Sequence, residues 1–188
     1  MTDDTPPSAA RAMWNLIVTS RESGQRRLRR ALRPIVRLQG SGFRNVFVAR
    51  VDDVEGCLMA VAELCERRPR LDSWLGRILP IERTFAVDPG AFDAQLRVEA
   101  VPFVDRLAGR GFHVRVERRG HKGVINTHAS EQALGEYFYD TLNARGQAAT
   151  VQFADPDVVL AVEVLGDTAG LGLVTRALRE RFPFVKIN

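Results

Sequence analysis

Six consecutive residues, 118–123 (RRGHKG), carry the most recognisable chemistry in this sequence. They include two arginines, a histidine and a lysine, with Gly120 and Gly123 placed among them. An arginine side chain presents a planar fork of N–H donors that matches phosphate or carboxylate oxygens, and glycine lets the backbone turn tightly. Because like charges this close repel one another, an anionic partner would relieve them. The pattern predicts an anion-binding loop.

The residues on either side of this loop predict the elements that hold it. Residues 112–117 (FHVRVE) alternate apolar and polar side chains, which is typical of a half-buried strand. A helix is expected to begin near Ser130, with Thr127 or Ser130 as its N-cap. A strand that ends in a basic glycine loop before a helix N-terminus is suited to holding an anion. Arg115, on the polar side of the strand, adds a further cation.

A second concentration of positive charge lies on the first predicted helix. This helix begins at Ser23 or Gly24 and ends at Arg33, because Pro34 cannot continue it. Its apolar side is Leu28, Ala31 and Leu32, and its solvent side carries Arg26, Arg29, Arg30 and Arg33. Two interpretations stay open, an ordinary solvated face and a second anion contact.

Composition limits the classes of function. The net charge of +4 favours polyanionic partners, although 25 of the 27 cations are arginine, a bias that genomic base composition also produces. No apolar run approaches the ~18–20 residues of a membrane span, and no signal peptide is evident. We therefore expect a cytoplasmic protein.

Templates for catalysis and metal binding fail on their details. The GxG triplets lack the third glycine and the downstream acid of a dinucleotide site, and no GxxxxGK[ST] motif is present. The three histidines and two cysteines lack zinc-site spacing. Cys57 and Cys65 fall on the buried side of a predicted helix, where thiols are inert. We expect no cofactor, no metal and no self-contained catalysis.

The order of predicted elements divides the chain into an α+β and an α/β part. Residues 1–12 are expected to form a disordered tail, and residues 13–86 a β-α-β-β-α-β, ferredoxin-like domain. Its strands are predicted at Trp14–Thr19, Ile35–Leu38, Phe43–Val51 and Ile78–Val87. Residues 87–188 form the second domain, in which the apolar run Val158–Leu165 predicts a strand covered on both faces.

Several motifs of the second domain occur together in one known family. The strand and loop Phe112–Gly123 resemble the signature of the THUMP domain, and the resemblance continues through residues 130–135 (SEQALG), 155–167 (DPDVVLAVEVLGD) and 169–170. It covers roughly residues 88–180. The resemblance implies an RNA-binding module, chiefly for tRNA, that follows a ferredoxin-like domain.

The resemblance also implies a role and a set of contacts. Most relatives continue into a methyltransferase, thiouridine synthetase or pseudouridine synthase domain. Because few residues follow Asp167 in this sequence, we expect no such domain here, and the layout is similar to the stand-alone tRNA-binding adaptor of tRNA cytidine acetylation. We therefore expect a non-enzymatic protein that presents tRNA to a separate modification enzyme. The expected RNA contacts are Arg115, Arg118, Arg119, His121 and Lys122 in the second domain and Arg26, Arg29, Arg30 and Arg33 in the first, with Gly120 and Gly123 shaping the loop. The alternatives are a catalytic subunit acting on RNA and a protein–protein adaptor with a basic docking loop.

Overall fold

A computed structural model describes residues 14–187, and the tail expected at residues 1–12 lies outside the described residues. The first part of the chain builds a four-stranded sheet with two helices. Its elements are β1 (Leu16–Ser20), α1 (Gln25–Leu32), β2 (Gln39–Gly40), β3 (Val46–Ala49), α2 (Val54–Arg67), a 3₁₀ helix (Pro69–Ser73) and β4 (Leu75–Pro80). The strands lie in the order β2-β3-β1-β4, and every pair is antiparallel. The expected ferredoxin-like arrangement is confirmed.

The second part builds a five-stranded mixed sheet. Its elements are β5 (Arg83–Ala86), α3 (Phe92–Ala100), a 3₁₀ helix (Val101–Leu107), β6 (Gly111–Arg119), α4 (Thr127–Ala144), β7 (Thr150–Val151), β8 (Val158–Leu165), β9 (Thr168–Thr175) and α5 (Arg176–Arg181). The strand order is β5-β9-β8-β6-β7. β6 is parallel to β7 and β8, whereas β9 is antiparallel to both β8 and β5.

β8 lies at the centre of the molecule, and all eight of its residues are buried. Leu160, Val162 and Val164 belong to a core shared with α3 and α4. Ala161 and Leu165, on the opposite face, belong to the core of the first sheet. The apolar run thus forms the doubly covered strand that its composition predicts.

The strand expected over Ile78–Val87 is two strands in two different sheets. β4 ends at Pro80, and β5 pairs with β9. The Ile81 N–H donates to the Asn15 carbonyl and the Glu82 N–H donates to the Leu171 carbonyl. The chain therefore changes sheet at residues 81–82, a few residues before the expected domain division after residue 86, which stays a prediction.

The last described residues return to the first sheet. Phe182, Phe184 and Val185 are buried in the core of that sheet, and the Phe184 carbonyl accepts from the Ile78 N–H at 2.9 Å. Side chains that follow α5 therefore help to fasten the second sheet to the first.

The prediction of a strand at Ile35–Leu38 was wrong. The N–H groups of Ile35 and Val36 both donate to the Leu32 carbonyl, so the backbone is still turning out of α1. Val36 and Leu38 are buried in the core without pairing as a strand. The strand forms instead at Gln39–Gly40, and it pairs with Val48 and Phe47.

Candidate nucleic-acid interface

Residues 118–123, hereafter the basic turn, lie where β6 ends. Arg118 and Arg119 are the last two residues of β6 and not part of a loop, because pairing with β8 continues to Arg119 opposite Leu165. The chain then turns through Gly120 (φ +98°), His121 (φ +50°) and Gly123 (φ +85°). Positive φ carries no steric cost at glycine, so the two glycines suit the turn that they form.

The basic turn is tied to the neighbouring β8–β9 turn. The Gly166 N–H donates to the Arg119 carbonyl at 2.8 Å. His121 Nε2 lies 3.1 Å from the Gly166 carbonyl oxygen and 3.4 Å from an Asp167 carboxylate oxygen. These contacts fix the backbone of the turn, and they engage His121 within the protein.

The cap of the helix after the turn lies one residue before Thr127 and four residues before Ser130, the two expected caps. Asn126 is the N-cap of α4, and its side chain accepts from the Ala129 N–H at 3.2 Å. Ser130 is buried, and its hydroxyl donates to the Asp93 carboxylate at 2.5 Å. The expectation of Thr127 or Ser130 as N-cap was wrong, since Asn126 supplies the same kind of acceptor earlier in the chain.

Three cations of this region face solvent. Lys122 is exposed, and Arg118 is half-buried and donates to the Gly120 carbonyl at 3.2 Å. Arg115 is 43% exposed and lies 3.5 Å from Glu131. Neither Lys122 nor Arg118 has an ion pair with any residue in the described part of the chain. Their charges are free to attract a polyanion.

Arg119 is directed into the protein instead. It lies 3.1 Å from Glu163 and 3.7 Å from Glu117. Both acids also bind Arg77 of β4, at 2.5 Å from Glu163 and 2.8 Å from Glu117. We call these four residues the charge cluster. Its members come from both sheets, so it joins them directly beneath the basic turn; the expected RNA contact by Arg119 stays a prediction.

Burial sets the ionisation of the charge cluster. Arg77 and Glu163 are each only 2% exposed. Burial raises the pKa of Glu163 from 4.5 to about 7, against the opposing effect of Arg77 and Arg119. A carboxyl whose pKa is higher in the folded than in the unfolded protein binds its proton more tightly when folded, so its ionisation opposes folding.

This ionisation predicts a pH-dependent stability. Between about pH 4.5 and 7, the folded protein holds a proton on Glu163 that the unfolded chain releases, so stability falls as pH rises through this window. Relative to Glu163→Gln, the wild type is expected to lose about 3 kcal/mol of unfolding free energy between pH 5 and pH 8. Urea denaturation of both proteins at the two pH values measures it. A difference between them that does not change with pH would contradict the prediction.

The arginines of α1 form a second exposed group. Arg26, Arg30 and Arg33 are exposed. Arg29 donates to the Leu38 carbonyl at 3.4 Å, and its guanidinium lies 5.6 Å from the centre of the Phe47 ring. Across residues 14–187, no acid forms an ion pair with any of the four. Their charges are therefore not neutralised within the described chain. This is consistent both with an ordinary solvated face and with a second anion contact.

An aromatic cavity lies beside the open edge of β6. Its volume is about 440 Å³, and its walls include His113, Tyr139 and Phe153. The His113 and Phe153 rings lie 5.6 Å apart, and Phe153 is 76% exposed. The fold thus brings Phe153 to His113 of β6 although the two residues are 40 positions apart in the sequence. Exposed rings of this kind can stack on flat ring systems.

The two cysteines are not activated as nucleophiles. Burial raises the pKa of the Cys57 thiol, and burial together with Asp72 raises that of Cys65 to about 11. Both thiols are therefore protonated, poor nucleophiles near neutral pH. Among residues 14–187, no three His, Cys, Asp or Glu side chains are grouped to hold a metal ion. No helix in that range has both the length and the apolar character to cross a membrane.

Solved structures share this fold. TrmN from Thermus thermophilus matches with a TM-score of 0.63 at 18% identity, over 91% of this chain and 48% of its own. PH1313 from Pyrococcus horikoshii Ot3 matches at 0.56 and 11% identity, over 87% and 55%. A 4-thiouridine synthetase, solved as an RNA complex with bound ATP, matches at 0.54 and 13% identity, over 86% and 41%. The chain thus spans about half the length of these solved chains.

Sequence comparison assigns a family to most of the second part of the chain. No curated protein matches the chain in sequence. The family model described as the THUMP domain matches residues 96–174, a range that runs from α3 to β9 and includes the basic turn. The family expected from the motifs is confirmed, and residues 96–174 of this chain form a THUMP domain.

Proposed function

We propose that this protein binds tRNA through its basic surface and presents it to a separate tRNA-modification enzyme in the cytoplasm. The observation that carries the proposal is the position of the basic turn within the THUMP domain, with Arg115, Arg118 and Lys122 facing solvent. Likeness in fold to a 4-thiouridine synthetase that was solved as an RNA complex supports RNA as the ligand.

A non-catalytic role is the finer part of the proposal. The protonated thiols and the lack of a metal-binding group within residues 14–187 favour binding over catalysis. In this role the affinity comes from neutralising phosphates and releasing their counterions, so binding weakens steeply with salt.

The triple variant Arg115→Ala, Arg118→Ala, Lys122→Ala tests tRNA binding. We expect affinity for tRNA to fall by more than roughly tenfold, because three phosphate contacts are lost. The slope of log K against log [salt] should become shallower by roughly 2–3, at ~0.7–0.9 per contact. Fluorescence anisotropy with labelled tRNA at several salt concentrations measures both quantities. Arg119 is left unchanged because its removal would also disturb Glu163.

Arg145→Ala is the matched control. Arg145 follows α4, at the end away from the basic turn, and it pairs with exposed Asp105 at 2.7 Å. Arg145→Ala removes one positive charge, as each substitution in the triple variant does, but from outside the proposed surface. Equal affinities for the wild type and the triple variant would contradict the proposed role of the basic turn. Turnover by the purified protein alone would contradict the non-catalytic role.

A further inference from the structure

The loop between β2 and β3, residues 41–45 (SGFRN), packs against the basic turn. A Cβ atom placed on Gly120 would lie 3.8 Å from Phe43 Cζ, and one placed on Gly166 would lie 3.8 Å from both Cε2 and Cζ of Phe43. The Phe43 ring therefore covers the two glycines where the basic turn meets the β8–β9 turn. A loop of the first sheet is thus seated on the THUMP domain beside its basic turn.

The other end of this loop is fixed to α1 and β1. The Gln25 side chain, in the first turn of α1, donates to Asn45 Oδ1 at 2.5 Å. The Ser20 N–H donates to the Asn45 carbonyl at 2.9 Å. Within the loop, the Phe43 N–H donates to Ser41 Oγ at 3.2 Å, and the Ser41 hydroxyl donates to the Val46 carbonyl at 2.9 Å. The loop is held on both sides by specific contacts.

Arg44 lies between these two anchors. It is exposed, and no residue of the described chain forms an ion pair or hydrogen bond with its side chain. Phe43 before it is seated on the basic turn and Asn45 after it is tied to α1. Arg44 is therefore a free guanidinium on a fixed backbone, between the arginines of α1 and the basic turn.

We propose that Arg44 is a further RNA-contact residue, positioned by Phe43, that joins the arginine face of α1 and the basic turn into one phosphate-binding track. This proposal rests on the proposed function. A guanidinium held by a rigid backbone loses less freedom on binding a phosphate than one on a mobile loop, and its planar fork suits two phosphate oxygens. The contact is to the RNA backbone, so it adds affinity without base specificity.

Arg44→Ala is the direct test. We expect roughly 5–10-fold weaker tRNA binding and a salt slope shallower by ~0.7–0.9, because one phosphate contact is lost. Arg145→Ala, which removes one exposed arginine elsewhere, should change neither. A photocrosslinking amino acid at position 44 should crosslink to tRNA, and the same group at position 145 should not.

Phe43 tests the positioning, since its replacement removes no charge. Phe43→Ala should weaken tRNA binding and reduce crosslinking from position 44, whereas Phe43→Leu, which still covers the glycines, should restore most of both. Unchanged binding by Arg44→Ala, together with weak binding by the Arg115, Arg118 and Lys122 variant, would overturn this inference and leave the proposed function standing. No tRNA binding by the wild type would overturn both. If Arg44→Ala weakened the binding of polyglutamate but not of tRNA, Arg44 would contact an acidic protein partner instead, and the proposed RNA contact would also be overturned.

Discussion

Replacing Arg77 by methionine should lower the free energy of unfolding by about 3–5 kcal/mol at pH 8, because it leaves buried Glu163 without its closest cation. Arg77 and Glu163 are each 2% exposed and lie 2.5 Å apart. Methionine keeps an unbranched apolar stem but is shorter than arginine, so the loss combines the uncompensated charge with some lost packing. Guanidinium chloride denaturation measures it. At pH 5 the loss should be smaller, since Glu163 can then take up a proton.

A double variant separates charge from packing. In Arg77→Met combined with Glu163→Gln, no ionised carboxylate remains at position 163, so the protein should recover much of the stability lost by Arg77→Met alone. The surface variant Arg145→Ala, whose ion pair with Asp105 is exposed, should cost only about 0–1 kcal/mol. Equal losses in the single and double variants would show that the cluster contributes by shape and not by charge.

The charge cluster explains why the second sheet contains an acid that its pattern does not predict. Glu163 is the one charged residue in the apolar run Val158–Leu165, and the sequence alone marks it as unusual. Its partner Arg77 is 86 residues away and is one of 25 arginines. No local pattern distinguishes a buried arginine from a solvated one, so the pairing could be learned only from the fold.

Local patterns predicted the long elements and missed the short ones. The strand Val158–Leu165 and the end of α1 before Pro34 both follow from local patterns, the first from an unbroken apolar run and the second from a helix-breaking residue. The two-residue strand Gln39–Gly40 is one period long, so alternation cannot reveal it. Val36 and Leu38, just before it, are buried without pairing as a strand, and the alternation of apolar residues cannot distinguish such a segment from a strand.

The candidate site shows the same division. The basic turn and its glycines were evident from composition, because charge and turn residues are local properties. The inward direction of Arg119 depends on Glu163 of a neighbouring strand, and the place of Arg44 depends on Phe43 covering Gly120 across the junction. The way in which the two sheets are joined therefore determines which cations are available to a ligand.

A second large effect on this junction is expected from Gly172→Ala. A Cβ atom on Gly172 would lie 2.2 Å from the Pro80 carbonyl oxygen and 3.1 Å from its carbon. Since these are backbone atoms at the end of β4, no side-chain rotation relieves the overlap, and the two sheets must move apart. We expect a loss of about 2–3 kcal/mol in unfolding free energy, measured by urea denaturation.

Gly135→Ala is the matched control for that substitution, with the opposite expected sign. No atom lies within 4 Å of a Cβ on Gly135 beyond its own helix, and alanine in a helix interior is favoured over glycine by about 0.5–1 kcal/mol. Because Gly172 and Arg77 both act on the contact between β4 and the second sheet, their combined loss should be smaller than the sum of the single losses. Additive losses would mean that the charge cluster and the close packing at Pro80 hold the sheets independently. In that case, disturbing the charge cluster would leave the packing at Pro80 intact, and the reverse would also hold. The basic turn would then keep its position relative to α1 in either single variant.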